Sequence, residues 1–297
     1  MSVLFVFLDG VGHGENDRSF NPFAAIATPT LDALAGGDWL SPTTPKLDAT
    51  LGSEGLPQSA TGQATLLTGR NATTVMNGPY GPWPGPTLQR FLVEGNLFTW
   101  TAERHGPETM AWGMAYPPGF FEALKRRRLR LNAPAYAAQA AGVRLPDLDA
   151  YARGEAVAAD LDGAYFASLG IHPPGGAPAG AQGARQAGER IARHAAVRRF
   201  TFVDIWSTDR VGHQADLEQA ITLVERLDAF LAGVCEARTD NTTVLVTSDH
   251  GNLEDLRHGR HTMNRVPLLI EGPHADAFQH ATSLLDVAPG LKKVMEL

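Results

Sequence analysis

The chain has 297 residues, 43% hydrophobic and 19% charged, which excludes a disordered or collagen-like protein and suits one large core with a smaller insertion. Its 25 Lys and Arg against 32 Asp and Glu leave a net charge of −7, the wrong sign for wrapping a nucleic acid backbone, so no nucleic acid partner is expected. The opening run Val3 to Leu8 is apolar, with no basic stretch before it and Asp9 directly behind. It is too short for a signal-peptide core or a membrane span, and reads as the first strand of a cytoplasmic protein with no membrane partner. Further strands are expected at Thr109 to Gly113, Phe200 to Ile205, Thr243 to Thr247 and Val266 to Ile270. Helical periodicity falls between them, at Pro22 to Ala35, Ala60 to Leu67, Leu97 to Arg104, Leu217 to Ala237 and Ser283 to Glu296. This alternation predicts a three-layer α/β/α fold around a mainly parallel sheet. The single cysteine, Cys235, falls in a helical stretch and reads as core.

Between Tyr116 and Ala195 the texture changes to Ala-rich helical pieces, with the basic run Lys125 to Arg128, then Arg130, and a Pro/Gly stretch from His172 to Gly183. We expect residues 116–195 to form a small helical insertion, a lid joined by a flexible hinge to a core made of 1–115 and 196–297. Consecutive helical positions point in different directions, so few of the five cations can face one site. Arg126 and Arg130, four apart, are the expected substrate contacts, against the alternative of a solvated face.

Asp9, Asp209 with His213, and Asp249 with His250 all stand just after predicted strands, and His261 lies in a Gly/His/Arg-rich loop before another. In an open parallel sheet the loops at the carboxyl ends of the strands converge on one crevice. Each residue alone has a plainer reading as a turn or solvated loop residue. Pooled, three Asp and three His make an oxygen and nitrogen ligand set suited to Zn or Mn and poor for Ca. Ser59 precedes an apolar helical stretch, where serine is an ordinary N-cap. The same geometry serves a nucleophile, because a helix N-terminus also holds phosphate. Thr61 competes for that role.

These segments resemble the alkaline phosphatase superfamily, in its metalloenzyme branch with cofactor-independent phosphoglycerate mutase. The likeness rests on Phe-Leu-Asp-Gly at Asp9, the Asn21 to Asp32 segment, and Ser59 followed by Gly62, Gly69 and Arg70. It resumes in Asp-Arg-Val-Gly-His at Asp209 to His213, Ser-Asp-His-Gly-Asn at Ser248 to Asn252, His261 to Pro267 and Leu284 to Pro289. Carried over, it implies one divalent ion held by Asp9, Ser59, Asp249 and His250, and a second held by Asp209, His213 and His261. The ions would be Mn or Zn, with Mg also admitted. It further implies phosphoryl transfer from a phosphorylated small molecule through a phosphoserine at Ser59. The chain departs from the mutase pattern at Gln63, where that family has His, and in its short middle segment. Leu97 to Gly113 reads instead as a continuation of the core, as in phosphodiesterase-like relatives. A phosphatase or phosphodiesterase is therefore the leading expectation, a phosphomutase the alternative, and a noncatalytic metal or phosphate binder the third. No Cys/Ser-x-Pro-x-Arg segment occurs, so sulfatase chemistry is not expected.

Overall fold

The computed structural model describes residues 1–176 and 178–297. Six strands form one sheet in the order β2-β6-β5-β1-β4-β3: β1 (Ser2–Leu8), β2 (Lys46–Leu47), β3 (Met110–Trp112), β4 (Phe200–Ile205), β5 (Thr242–Ser248) and β6 (Val266–Glu271). Strands β5, β1, β4 and β3 run parallel, while β6 is antiparallel to β5 and β2 antiparallel to β6. Every residue of β1, β4 and β5 is buried. Continuous apolar runs such as Val-Leu-Phe-Val-Phe-Leu are the signature of strands covered on both faces. Around Phe202 the rings of Phe5 and Trp112 close the core at centroid distances of 4.9 and 5.3 Å.

Helices cover both faces, giving the expected three-layer α/β/α fold. Ala181–Ala195 and Leu217–Ala237 pack together over one face, and both Ala181–Ala195 and Val287–Met295 touch β1. Val287–Met295 stands in the second layer with Ser59–Thr68, Leu97–His105 and Ala133–Ala140. The expected helix Pro22 to Ala35 is broken into Pro22–Ala25 and Pro29–Ala35, because Pro29 has no N–H and drives Thr28 out of helical geometry. The expected carboxy-terminal helix likewise resolves into a 3₁₀ turn, Leu284–Asp286, and a helix from Val287. Strand β3 is shorter than expected, since Pro107–Thr109 forms a 3₁₀ turn ahead of it. No described helix is long and apolar enough to cross a membrane.

The segment 116–195 is uneven. Ala181–Ala195 belongs to a core layer, crossing Leu217–Ala237 where Gly188 and Gly233 bring the two backbones together. Ala133–Ala140 lies against Ser59–Thr68. Pro118–Lys125, by contrast, has no buried residue. The hinge expected at 172–183 includes Ala177, which lies outside the described residues.

Candidate active site

Asp9 follows β1, Asp249 and His250 follow β5, and the helix Ser207–Gln214 after β4 carries Asp209 and His213 one turn apart. Gly10 turns the chain at the end of β1 with φ +68°, and its N–H donates to Asp249 Oδ1 at 3.3 Å. A Cβ there would stand 2.6 Å from Asp209 Oδ1, so only glycine lets the two loops close on each other. Gly62 does the same for the Ser59–Thr68 helix, where a Cβ would meet the Asp249 carbonyl at 2.8 Å.

His250 is the hub. Its Nε2 lies 3.0 Å from Ser59 Oγ, 3.4 Å from Asp9 Oδ1 and 3.5 Å from Asp249 Oδ2. The His261 ring stacks on it at 3.7 Å between centroids. His261 Nε2 lies 3.6 Å from Asp209 Oδ1, and His213 Nε2 lies 3.2 Å from Asp209 Oδ2. All three imidazoles present Nδ1 to a backbone carbonyl: Gly251 at 3.3 Å for His250, Pro57 at 2.7 Å for His261 and Gly259 at 2.9 Å for His213. A carbonyl can only accept, so each Nδ1 carries a proton and each Nε2 is turned to the cluster, the orientation typical of metal-ligating histidines.

Two groups have ligand atoms within 4.8 Å of one another: Asp9, Asp249 and His250, and Asp209, His250 and His261. Ser59 adjoins the first through His250. His213, half exposed, reaches the second only through Asp209. The structure thus brings all seven residues to one edge of the sheet, with His250 between the two groups rather than in one.

Burial and the neighbouring Asp249 charge push the Asp9 carboxyl well above the usual range, and burial with Asp209 raises Asp249. Burial alone would lower His250, yet Asp249, Asp9 and Asp209 together hold it up to about 10. Asp209 is likewise buried, but hydrogen bonding from His213 and the charge of His250 outweigh that and hold it at about 2. Burial and the His250 charge lower His261 to about 4. Asp9 Oδ1 is buried without a hydrogen-bond partner. A buried oxygen without a hydrogen-bond partner, among clustered carboxylates and oriented imidazoles, is what a divalent cation would satisfy, so the donor set fits a divalent metal ion.

Ser59 is the first helical residue, and Gln58, not Ser59, occupies the N-cap position. The competing Thr61 is tied into the local backbone: its hydroxyl donates to Gln58 O at 3.0 Å and accepts from Tyr80 N at 3.1 Å. The expected Arg126 and Arg130 pairing on one helical face does not form. The helix ends at Lys125, Arg127 takes φ +55°, and Arg126 turns outward to Glu122 at 3.6 Å. Arg130 lines the same cavity as Ser59.

Three neighbours of the cluster have roles that sequence reasoning missed. Gln63 donates to Asp9 Oδ2 at 3.2 Å and Asp249 Oδ2 at 3.0 Å, bridging the two carboxylates. Asn252 donates to Asp209 Oδ1 at 2.6 Å. Asp204, 1% exposed inside β4, accepts from Asn132 at 2.8 Å. Its signal was available, since an acid inside the buried run Phe-Thr-Phe-Val-Asp-Ile is costly without a purpose.

A family model of the metalloenzyme superfamily matches residues 180–297. Among curated relatives, the 2,3-bisphosphoglycerate-independent phosphoglycerate mutase of Cereibacter sphaeroides is 38% identical over 103 residues, 32% of this chain and 20% of that protein. Its counterpart in Rhodopseudomonas palustris is 42% identical over 100 residues, 30% of this chain and 19% of that protein. The matched region therefore spans only a fifth of those relatives. Among solved structures, the alkaline phosphatase from the Antarctic bacterium TAB5 superposes with a TM-score of 0.54 at 13% identity, covering 99% of this chain and 98% of that one. Leishmania mexicana phosphoglycerate mutase gives 0.51 at 14% identity, covering 99% and 95%. These likenesses establish an alkaline phosphatase-like fold.

Proposed function

We propose, from its resemblance to the metalloenzyme branch of the alkaline phosphatase superfamily, that this chain is a phosphoryl-transfer enzyme for a phosphorylated small molecule, working as a phosphatase or phosphodiesterase through a phosphoserine at Ser59. The observation that carries the reading is the Ser59 hydroxyl on His250 Nε2 at 3.0 Å, beside the unpartnered Asp9 oxygen. In this reading Asp9, Ser59, Asp249 and His250 would hold one divalent ion and Asp209, His213 and His261 the other, Mn or Zn, with Mg admitted. When bound, such ions supply charge stabilisation to the phosphoryl group and lower the pKa of hydroxyl nucleophiles.

The chain's own groups do the rest. The start of the Ser59–Thr68 helix turns its positive end toward the incoming phosphate. Gln63 fixes both carboxylates in register with the hydroxyl. Ser59 Oγ gives up its proton to water and forms the new P–O bond while the ester P–O bond breaks, and the departing oxygen takes a proton from water and leaves as the alcohol. Water then releases orthophosphate and restores Ser59. We limit the lid to residues 117–132, with Arg130 facing substrate. Cys235 is a free thiol that burial pushes up to about 11, in keeping with an unreactive structural residue.

Ser59→Ala is expected to lower hydrolysis of an aryl phosphate, with Mn or Zn added, by at least a hundredfold. Acid quenching followed by peptide mass spectrometry should place phosphate on Ser59. Phosphate on Thr61, or full activity in the variant, would overturn the assignment. The mutase reading is favoured by the likeness to the mutases over about a third of the chain. It predicts isomerisation of a phosphoglycerate without release of orthophosphate.

A further inference from the structure

The cavity that contains Ser59 has a volume of about 740 Å³, far more than a phosphate needs. Its lining combines two kinds of group. The polar ones include Asp9, Ser59, Gln63, Asn132, Asp209 and His213. The apolar ones are Trp83, Tyr116, Phe120 and Trp206, with Pro82, Leu129 and Leu131. Tyr116 and Phe120 are stacked, ring on ring, at 3.9 Å. Trp83 stands 43% exposed at the rim, a large apolar surface that the fold itself leaves uncovered. The cations on the wall are Arg130 and Arg210, and Arg210 lies over the Trp206 ring at 5.8 Å.

A phosphoglycerate-like substrate could use Arg130, Arg210 and Asn132 for its carboxylate and hydroxyls, but it would leave the aromatic wall uncovered. An aromatic group would cover that apolar wall and find several aromatic rings to pack against. We propose that the substrate is a phosphate ester whose leaving alcohol carries an aromatic ring system, seated between Trp83 and the Tyr116–Phe120 pair. The proposal rests on the phosphoryl-transfer reading and adds the substrate class. It also assigns the exposed helix Pro118–Lys125 a role, since that helix brings Phe120 to the wall.

The test compares kcat/KM of the full chain, supplied with Mn or Zn, on 2-(1-naphthyl)ethyl phosphate and on glycerol 1-phosphate. Both release a primary alcohol, so their chemical steps are alike and the ratio reports the cavity. A preference of at least tenfold for the naphthyl ester is expected, falling below threefold in Trp83→Ala and Phe120→Ala. Equal values, a preference for glycerol phosphate, or an undiminished ratio in both variants would overturn the aromatic seat while leaving phosphoryl transfer standing. Turnover of neither ester would defeat the phosphatase reading, and calorimetry then decides the seat. Naphthylethylphosphonate binding at least tenfold tighter than ethylphosphonate supports it, and equal affinity overturns it.

Discussion

Asp204 shows what one side chain can reveal once its surroundings are known. It is buried at the end of β4, receives one hydrogen bond from Asn132, and burial pushes its carboxyl from the ordinary 3.8 up to about 7. Between those values the folded chain holds a proton that the unfolded chain has released. Stability must therefore fall as pH rises from about 4 to 7, by about 1.4 kcal/mol for each unit of separation. Asp204→Asn keeps an acceptor for Asn132 and removes the charge. The variant should match the wild type near pH 4 and exceed it by at least about 1 kcal/mol at pH 8 in urea unfolding with chelator present. A stability difference independent of pH would show that Asp204 is ionised without cost in the fold. The candidate metal-ligand residues were legible because Asp and His right after apolar runs are a strong signal in this kind of sheet. Asp204 gave a weaker signal, an acid inside a buried run, because its partner Asn132 lies 72 residues away in sequence.

Elements were legible in proportion to how local their causes are. The helix Leu217–Ala237 begins and ends where periodicity placed it, since Asp216 caps Glu218 and Gln219 and the Leu223, Leu227, Leu231 and Val234 face is buried. The two-residue β2 has no local cause, existing only through its pairing with Val266 and Pro267. Ala181–Ala195 patterns with the insertion because all but Ile191 on its buried face are Gly or Ala, small residues that look like weak patterning. Small size is what that face requires. A Cβ at Gly233 would overlap the Arg185 carbonyl, and one at Gly188 the Phe230 carbonyl. Gly233→Ala should therefore destabilise by about 1–3 kcal/mol despite alanine's better helix propensity. Gly119→Ala, in a helix where a Cβ meets nothing within 4 Å, should be neutral or stabilise by up to about 1 kcal/mol. Equal effects at both sites would mean the crossing is looser than drawn.

At the scale of the whole molecule, the candidate site is the place where distant parts of the chain are tied together. Residues 9, 59, 209, 213, 249, 250 and 261 meet at the carboxyl edge of the sheet, drawn from the loops after β1 and β5, the helix after β4 and the start of another helix. The unfolded chain holds no such cluster, so an ion that binds it binds the folded state almost alone. Its binding energy then adds to folding stability, by about 2.7 kcal/mol at one hundred times Kd. For a chain of this size that is an increase in Tm of roughly 5 °C. Mn or Zn should produce it, and EDTA should reverse it. His213→Ala makes a sharper comparison than any buried ligand, because His213 is half exposed and its loss should leave the fold intact. That variant should show a Tm close to wild type in EDTA but a clearly smaller rise with metal. Asp9→Asn, which alters the orphaned oxygen, should lower the rise further. An equal rise in wild type and both variants would place the bound ions elsewhere on this acidic chain and remove the metal centre from the proposed mechanism.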